Sequence, residues 1–195
     1  MCARPRKVTD DEVFMAMQRA MSRLGPGELT LADIAAEAGV TAGLLVQRFG
    51  SKRELLLALS ERFSGGAAEM FAELRRGRSP LDAIRAYCDG MAHLASSPAA
   101  LARNFAYLQI DLTDPEFRKH LSKQARESRH ELSKLIRAAI TEGELLSSTN
   151  PKQLARTVEA IVSGSMLIWA FYQEGTAAKW MRQDLEAVLK PYLAQ

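Results

Sequence analysis

The 195-residue sequence predicts an all-α fold of about nine helices. No window alternates apolar and polar residues over the length of a strand, and no Asn-Gly or Asp-Gly pair joins β-branched runs, so hairpin signals are absent. Residues that start and stop helices are frequent instead. With 47% hydrophobic and 25% charged residues, the composition is typical of a folded globular protein and excludes a disordered or fibrous one.

Cap residues mark the predicted helix starts. Thr9 with Glu12, and Ser51 with Glu54, have capping-box spacing, in which a hydroxyl accepts from a free backbone N–H while the acid reaches back to another. Further starts place a cap residue before a proline, whose missing N–H costs nothing in the first helical turn. These pairs are Ser79-Pro80, Ser97-Pro98, Asp114-Pro115 and Asn150-Pro151.

Glycines mark several predicted helix ends, because glycine readily takes the left-handed conformation that closes a helix. Gly25, Gly39, Gly143 and Gly175 each follow an apolar-periodic segment. The predicted helices are 10–24, 31–38, 42–48, 52–74, 80–95, 98–111, 115–142, 151–174 and 177–193. Gly65-Gly66 is the place where helix 52–74 is expected to kink or to end early.

A change in helix length predicts two domains. Up to about Phe63 the helices are short and closely spaced, whereas beyond Arg78 they extend over several turns. We therefore expect an N-terminal domain over residues 1–50, a connecting helix over 52–74, and a larger helical domain over 75–195.

Cysteine content and segment hydropathy exclude several classes of protein. Cys2 and Cys88 are the only cysteines, too few for a disulfide framework or a cysteine-rich zinc site. The longest uncharged stretch, 160–173, is shorter than the roughly 20 apolar residues of a spanning helix. No apolar run follows the basic N-terminal residues, so a secretory signal is not expected. These features favour a cytoplasmic protein that does not enter a membrane.

One short segment predicts a helix-turn-helix. Leu29–Lys52 reads LTLADIAAEAGVTAGLLVQRFGSK, in which Gly39 ends one short helix, Val40 fills the turn and Thr41 caps a second helix. Two short helices joined in this way place the second helix where it can enter the major groove of DNA. A tight helical hairpin used only for packing is the alternative.

This segment resembles the N-terminal domain of the TetR/AcrR family of transcriptional regulators, whose pattern is approximately I-A-x-x-A-G-V-S/T-x-G-x-L-Y-x-Y/H-F-x-S-K-x-x-L. The matching residues are Ile34, Ala35, Ala38, Gly39, Val40, Thr41, Gly43, Leu45, Phe49, Ser51, Lys52 and Leu55. The match is strong over Thr9 to Phe63 and only architectural beyond it. The resemblance implies a homodimer that binds double-stranded DNA, and it implies an effector pocket in the larger domain.

The departures from this pattern fall on the predicted recognition helix. Val46 stands where the family usually has tyrosine, and Arg48 where it often has a second aromatic residue, so a phosphate-binding hydroxyl is missing. Gln47 can pair with adenine, Arg48 with guanine, and Leu44 or Val46 with a thymine methyl group. Leu44 packed inward is the alternative for that residue. The predicted DNA-binding residues are Thr30, Thr41, Ala42, Gly43, Leu44, Val46, Gln47, Arg48 and Lys52.

Basic residues before the first helix are a second candidate DNA contact. Arg4, Arg6 and Lys7 form a cluster, although the net charge of the chain is only +3. Such an arm can reach a minor groove or a phosphate. A solubilising tail without DNA contacts is the alternative.

The two C-terminal helices predict a dimer interface. Helix 151–174 is apolar on more than one side, and a single chain of this length would struggle to bury it completely. We expect these helices to form a four-helix interface with a second copy of the chain; an internal helix pair is the alternative. The predicted interface residues are Val158, Ile161, Ser165, Ile168, Tyr172, Trp180, Leu185 and Val188.

A second apolar stripe predicts a pocket for a small, largely apolar effector. Methionine and aromatic side chains suit such a pocket, although each is individually more typical of an ordinary core. The predicted lining residues are Tyr87, Met91, Phe105, Gln109, Met166 and Trp169. Asp111 or His130 are candidate polar anchors.

Catalysis is not predicted. The sequence has no G-x-S-x-G, no Walker glycine loop and no H-E-x-x-H motif, and its three histidines have no metal-ligand spacing. No cofactor or metal is therefore expected. The sequence favours a ligand-released repressor that binds a palindromic operator as a dimer. The alternative is a helical ligand-binding or protein-interaction module that does not bind an operator.

Overall fold

The structure is a computed structural model that describes residues 8–194, and this part of the chain is helical with ten α-helices. A single isolated β-bridge, between Leu145 and Leu193, joins the segment after the eighth helix to the C-terminal residues. The helices are α1 (Asp10–Met21), α2 (Leu31–Ala38), α3 (Ala42–Phe49), α4 (Lys52–Phe63), α5 (Ala67–Arg75), α6 (Pro80–Ala92), α7 (Pro98–Thr113), α8 (Pro115–Thr141), α9 (Pro151–Tyr172) and α10 (Ala177–Leu189).

The predicted all-α fold is confirmed, and helix 52–74 ends early at Gly65-Gly66, as expected for one of the two outcomes named for that place. Residues 52–74 form two helices, because the chain leaves the helical conformation between Phe63 and Ala67. Gly65 and Gly66 lie in this break, and glycine is costly inside a helix. The predicted ends of helices 80–95 and 177–193 also change, since their last residues form the short 3₁₀ turns His93–Ala95 and Lys190–Tyr192.

The chain divides into two compact units. The first comprises the residues up to Arg62 together with Arg103–Arg118, and the second comprises Phe63–Ala102 together with the residues from Lys119. Each has its own apolar core. The first unit therefore includes a segment from α7 and the start of α8 that a division of the sequence at residue 75 does not contain.

The core of the first unit holds α1 to α4 together. Fully buried members include Met17, Ile34, Leu45 and Leu55, one from each of these helices. Phe117, only 3% exposed, joins the same core from the start of α8. The position of the recognition helix therefore depends on a residue almost seventy positions further along the chain.

The core of the second unit is formed mainly by α6, α8, α9 and α10. Cys88 is completely buried in it, and this burial raises the pKa of the thiol to about 11. A thiol with a raised pKa is a poor nucleophile at neutral pH, so Cys88 packs as an apolar side chain.

Within residues 8–194, only α9 is long and apolar enough to cross a membrane by length and composition. Its buried residues include Leu154, Val158 and Trp169, which lie in the core of the second unit. Packing in that core accounts for the apolar residues on the buried side of α9.

Candidate nucleic-acid interface

The helix-turn-helix is stabilised by helix caps and turn contacts between residues that are close in sequence. Thr30 caps α2 in a reciprocal capping box with Asp33, and Gly39 closes the helix with φ at 69°, in the left-handed region. The amide of Val40 then donates to the carbonyl of Ala35 over 2.9 Å. Thr41 caps α3 by accepting a hydrogen bond from the amide of Leu44. These contacts fix the angle at which α3 leaves the turn.

The recognition helix α3 turns a largely uncharged face to solvent. Leu45 is completely buried, and at 100° per residue Gly43 and Gln47 lie on the opposite side of the helix. Leu44 and Val46 flank them with exposed fractions of 40% and 49%. Leu44 therefore does not pack inward, and it remains available for an apolar contact with a base.

Gly43 is not required by the packing of its own unit. A Cβ added there would meet only the hydroxyl of Thr41, at 4.0 Å, and the backbone has no positive φ. A larger residue would thus fit the free protein, whereas a bare backbone permits the closest approach of a partner. Ala42, in contrast, is half-buried and packs against the core of the first unit.

Arg48 does not lie on the outward face. Its Nη1 donates to the carbonyl of Val8 over 2.7 Å, and its Nη2 lies 2.5 Å from Oδ1 of Asp10. The guanidinium carbon is 5.5 Å from the ring centroid of Phe49. Two of its five N–H groups are thus engaged, and the predicted pairing with guanine would have to use the others or displace these partners.

Lys52 is likewise engaged within the first unit. Its ammonium donates to the carbonyls of Pro26 and Leu29 over 2.9 and 2.8 Å, and so ties the start of α4 to the loop between α1 and α2. Because an ammonium has three N–H groups, one remains for another acceptor. The predicted phosphate contact therefore stays a prediction, and a structural role is added to it.

Further contacts that join α7 and the start of α8 to the rest of the first unit were not predicted from the sequence. The Tyr107 hydroxyl donates to the carbonyl of Leu24 over 2.9 Å. Arg53 of α4 bridges Asp114 and Glu116, each with a 2.6 Å contact, and it holds the pKa of Asp114 below its usual range. These partners are too distant in sequence for local spacing to reveal them.

The predicted ligand-binding residues fall into different environments. Tyr87, Met166 and Trp169 are buried in the core of the second unit, and Met91 is partly buried there. Phe105 and Gln109 were expected to face inward, and this is wrong because both side chains are exposed to solvent on α7. Of the two candidate polar anchors, Asp111 is half-buried, and its burial raises its carboxyl pKa; His130 is exposed.

The Trp169 side chain has an unusual feature. It is 5% exposed, and its indole N–H has no hydrogen-bond partner among the residues from 8 to 194. Tyr87, another residue of the predicted set, stacks on Phe71, with ring centroids 5.1 Å apart. A buried N–H without an acceptor is costly, so Trp169 is the member of the predicted set that most needs a polar partner.

The predicted dimer interface needs correction. Val158 and Leu185 are completely buried and Ser165 is 4% exposed, so none of these residues can contact another chain in this fold. The Ser165 hydroxyl instead donates to Asp184 of α10 over 2.6 Å. Ile161, Trp180 and Val188 are partly buried, and Ile168 and Tyr172 are exposed.

The exposed apolar face of α9 contains two of the predicted interface residues, Ile168 and Tyr172, and adds Leu167 and Phe171. Leu167 and Ile168 are 38% and 42% exposed, and Phe171 and Tyr172 are 67% and 64% exposed. They continue a face of small residues, Ala160, Ser163 and Gly164, at helical spacing. The Tyr172 ring stacks on Trp180, with centroids 5.7 Å apart.

Comparison with known families decides the relationship. A family model described as the tetracyclin repressor-like C-terminal domain matches residues 80–185, more than half of the chain, and one described as bacterial regulatory proteins of the tetR family matches residues 18–59. The chain belongs to the TetR family. A search of curated proteins found no match to this TetR-family chain.

Solved structures share the fold of this TetR-family chain at low sequence identity. A TetR transcription regulator from Haloarcula marismortui is 18% identical over 94% of this chain and 97% of its own, with a TM-score of 0.73. SmeT, titled the repressor of a Stenotrophomonas maltophilia multidrug efflux pump, is 24% identical over 97% and 92%, with a TM-score of 0.67. FadR from Bacillus subtilis, in complex with stearoyl-CoA, is 16% identical over 92% and 97%, with a TM-score of 0.68.

Proposed function

We propose that this TetR-family regulator is a ligand-released repressor that binds a palindromic operator as a homodimer through α3. The observation that carries the proposal is the exposed face formed by Gly43, Leu44, Val46 and Gln47 on a helix fixed by Thr41. Gln47 offers a bidentate pair for adenine, and the two aliphatic residues suit thymine methyl groups. Together with family membership, this face favours an A·T-containing half-site.

A binding selection on random duplex DNA tests this proposal. We expect one enriched palindrome whose half-site centres lie about one helical turn, roughly 34–36 Å, apart. Gln47→Ala should relax the preference at one base pair per half-site and weaken binding to the selected duplex by about 1–3 kcal/mol. Gln18→Ala, an exposed change on α1 of the same unit, is the matched control and should leave the selected sequence unchanged.

The effector is proposed to contact the second unit at Trp169. Its buried N–H without an acceptor supports a ligand that carries a hydrogen-bond acceptor on a largely apolar body. SmeT has a structure titled a complex with triclosan, and Bacillus subtilis FadR one with stearoyl-CoA. Halogenated phenols and acyl thioesters are therefore the first chemical classes to screen with this chain.

Coupling between ligand and DNA is proposed to run through α7. This helix is continuous from Pro98 to Thr113, with its first residues in the second unit and its remainder in the first. Tyr107 ties it to the loop before α2, and Asp114, directly after its last residue, contacts Arg53 of α4. A ligand that shifts α7 would thus alter the geometry of the helix-turn-helix, and ligand and DNA must then weaken each other by the same factor.

The dimer is proposed to form through the exposed face of α9. This face carries a contiguous apolar surface formed by four large side chains, Leu167, Ile168, Phe171 and Tyr172. Such a surface favours burial against a partner. The small residues Ser163 and Gly164 on the same face permit close approach of two helices. This face replaces the stripe through Val158 and Ser165.

Phe171→Asp tests the dimer face. Burying an unpaired carboxylate in an interface costs several kcal/mol, so the variant should sediment as a monomer and lose operator affinity. Met70→Asp places the same charge on α5, where Met70 is also exposed, and should leave sedimentation unchanged. A Phe171→Asp protein that stays dimeric would assign the interface elsewhere.

A module that does not bind an operator is the second candidate function. It is favoured by one observation: two basic residues predicted to touch DNA, Arg48 and Lys52, are both engaged within their own unit. Under this alternative the selection enriches no sequence, while ligand screening and sedimentation still give positive results.

A further inference from the structure

We propose that Asp10 and Arg48 form a latch that withholds Arg48 from DNA, so that Asp10 is a specificity-determining residue of the helix-turn-helix. This inference rests on the proposed function and names a residue of α1 that governs what the recognition helix offers to DNA. Arg48 is then a positioning residue that holds the end of α3 against the start of α1.

The first argument for the latch is the set of partners that the Arg48 guanidinium already has. A guanidinium has five N–H groups, and reading guanine uses two of them together on O6 and N7. In the structure Nη1 is bonded to the Val8 carbonyl and Nη2 to the Asp10 carboxylate, so both terminal nitrogens already have partners on α1 or just before it. A pair with a base that used these same two N–H groups would require the latch to open.

The surroundings of Arg48 carry the second step. Its side chain is only 31% exposed and lies over the ring of Phe49, which packs against Phe14 of α1 with ring centroids 6.0 Å apart. The latch is thus continuous with the aromatic contact that joins α1 to α3. If Arg48 turned toward a base, it would lose its contacts with the Val8 carbonyl, the Asp10 carboxylate and the Phe49 ring together.

The third argument for the latch is the net charge that the Asp10–Arg48 pair presents to DNA. While Asp10 is paired with Arg48, the pair presents no net charge to a phosphate backbone. Each phosphate contact made by a protein cation steepens the dependence of log K on log salt by about 0.9. Removing the carboxylate charge should therefore add one cation to the DNA-binding surface, and this gain should depend on Arg48.

The test measures operator affinity of the full chain against salt concentration. Asp10→Asn should steepen the salt dependence by about one unit and tighten binding at low salt. Arg48→Ala in the otherwise unchanged chain leaves the Asp10 carboxylate without its partner, so it should weaken binding to all duplexes alike and leave the selected base sequence as it was. In the double variant Asp10→Asn with Arg48→Ala, both the steeper salt dependence and the tighter binding at low salt should disappear.

Asp11→Asn is the matched control. It removes the same charge one position along α1, and the partner of Asp11 is Arg62, 2.9 Å away at the end of α4. It should change the slope by much less than Asp10→Asn does. An equal effect would show that only total charge matters, and it would overturn the latch.

A loss of preference at one base pair in Arg48→Ala would also overturn it, because Arg48 would then contact a base. A second measurement needs no DNA: a double-variant cycle on thermal unfolding. Asp10 and Arg48 should be coupled by about two- to fivefold in the unfolding equilibrium constant, the range of exposed ion pairs, and Asp11 and Arg48 not at all. If the unchanged chain binds no duplex, the proposed function fails, and this cycle decides whether the latch exists.

Discussion

Lys52 has a structural role beside the DNA contact that the sequence predicts for it. Its ammonium satisfies two backbone carbonyls in the loop before α2. A family pattern identifies a lysine at this position, but it cannot distinguish a phosphate ligand from a loop clamp. The structure shows that Lys52 holds this loop through its hydrogen bonds to the Pro26 and Leu29 carbonyls.

Lys52→Met keeps most of the aliphatic side chain and removes the ammonium, so Pro26 and Leu29 each lose a charge-assisted hydrogen bond. We expect the free energy of unfolding to fall by about 1–3 kcal/mol. Lys179→Met, at an exposed position of α10, is the control and should change it by less than about 0.5 kcal/mol. Thermal unfolding followed by circular dichroism measures both; equal stability of the two variants would show that the clamp contributes nothing.

Trp169 provides an optical test of the effector site. The chain has two tryptophans, Trp169 and Trp180, so Trp180→Phe leaves a single indole in the core of the second unit. A ligand that releases DNA should change the emission of that indole, because it supplies an acceptor for the N–H. Trp169→Phe should then weaken ligand binding by about 1–3 kcal/mol while operator affinity without ligand stays unchanged. A releasing ligand that leaves the Trp169 emission unaltered would place the effector site elsewhere.

At the scale of elements, the turn between α2 and α3 depends on Gly39. Its φ of 69° is one that L side chains rarely adopt, although a Cβ would meet no atom within 4 Å. Gly39→Ala should therefore lower the free energy of unfolding by about 1–2 kcal/mol through backbone strain alone. Gly27→Ala has equal space and no positive φ, so it should be neutral or slightly stabilising. Denaturant unfolding compares the two; equal losses would argue against strain.

The helix-turn-helix was predictable because its signals are local. Gly39 and Thr41 act on residues within a few positions, and the structure confirms both. The break after α4 was foreseen only as a place where a helix kinks or ends, since two glycines weaken a helix without specifying its end. The stripe on α9 was misassigned, because Val158 and Ser165 face the core and periodicity alone does not tell which apolar face is inside.

At the scale of the molecule, the first unit is not a continuous N-terminal piece. Phe117 fills its core, and Tyr107 and Asp114 bind its loops and helices. Partners so far apart in sequence leave no periodic or motif signal. This is why the contribution of α7 and α8 to the first unit could not be predicted from the sequence.

Phe117→Ala in the full chain should therefore destabilise the first unit by about 3–5 kcal/mol. Phe105→Ala is the matched control, since Phe105 lies in the same unit but is 36% exposed, and should cost much less. A fragment of residues 1–62 should have low helix content and no cooperative thermal transition by circular dichroism. A fragment that melts as cooperatively as the full chain would show that Phe117 and its neighbours are dispensable.

The discontinuous first unit also bears on the timing of synthesis. A ribosome that adds roughly 5–20 residues per second completes α3 several seconds before it reaches Phe117. During that interval the recognition helix lacks part of the core that holds it in place. A newly made chain therefore completes the core around α3 only after Phe63–Ala102, the first segment of the second unit, has been synthesised, and before the rest of that unit exists.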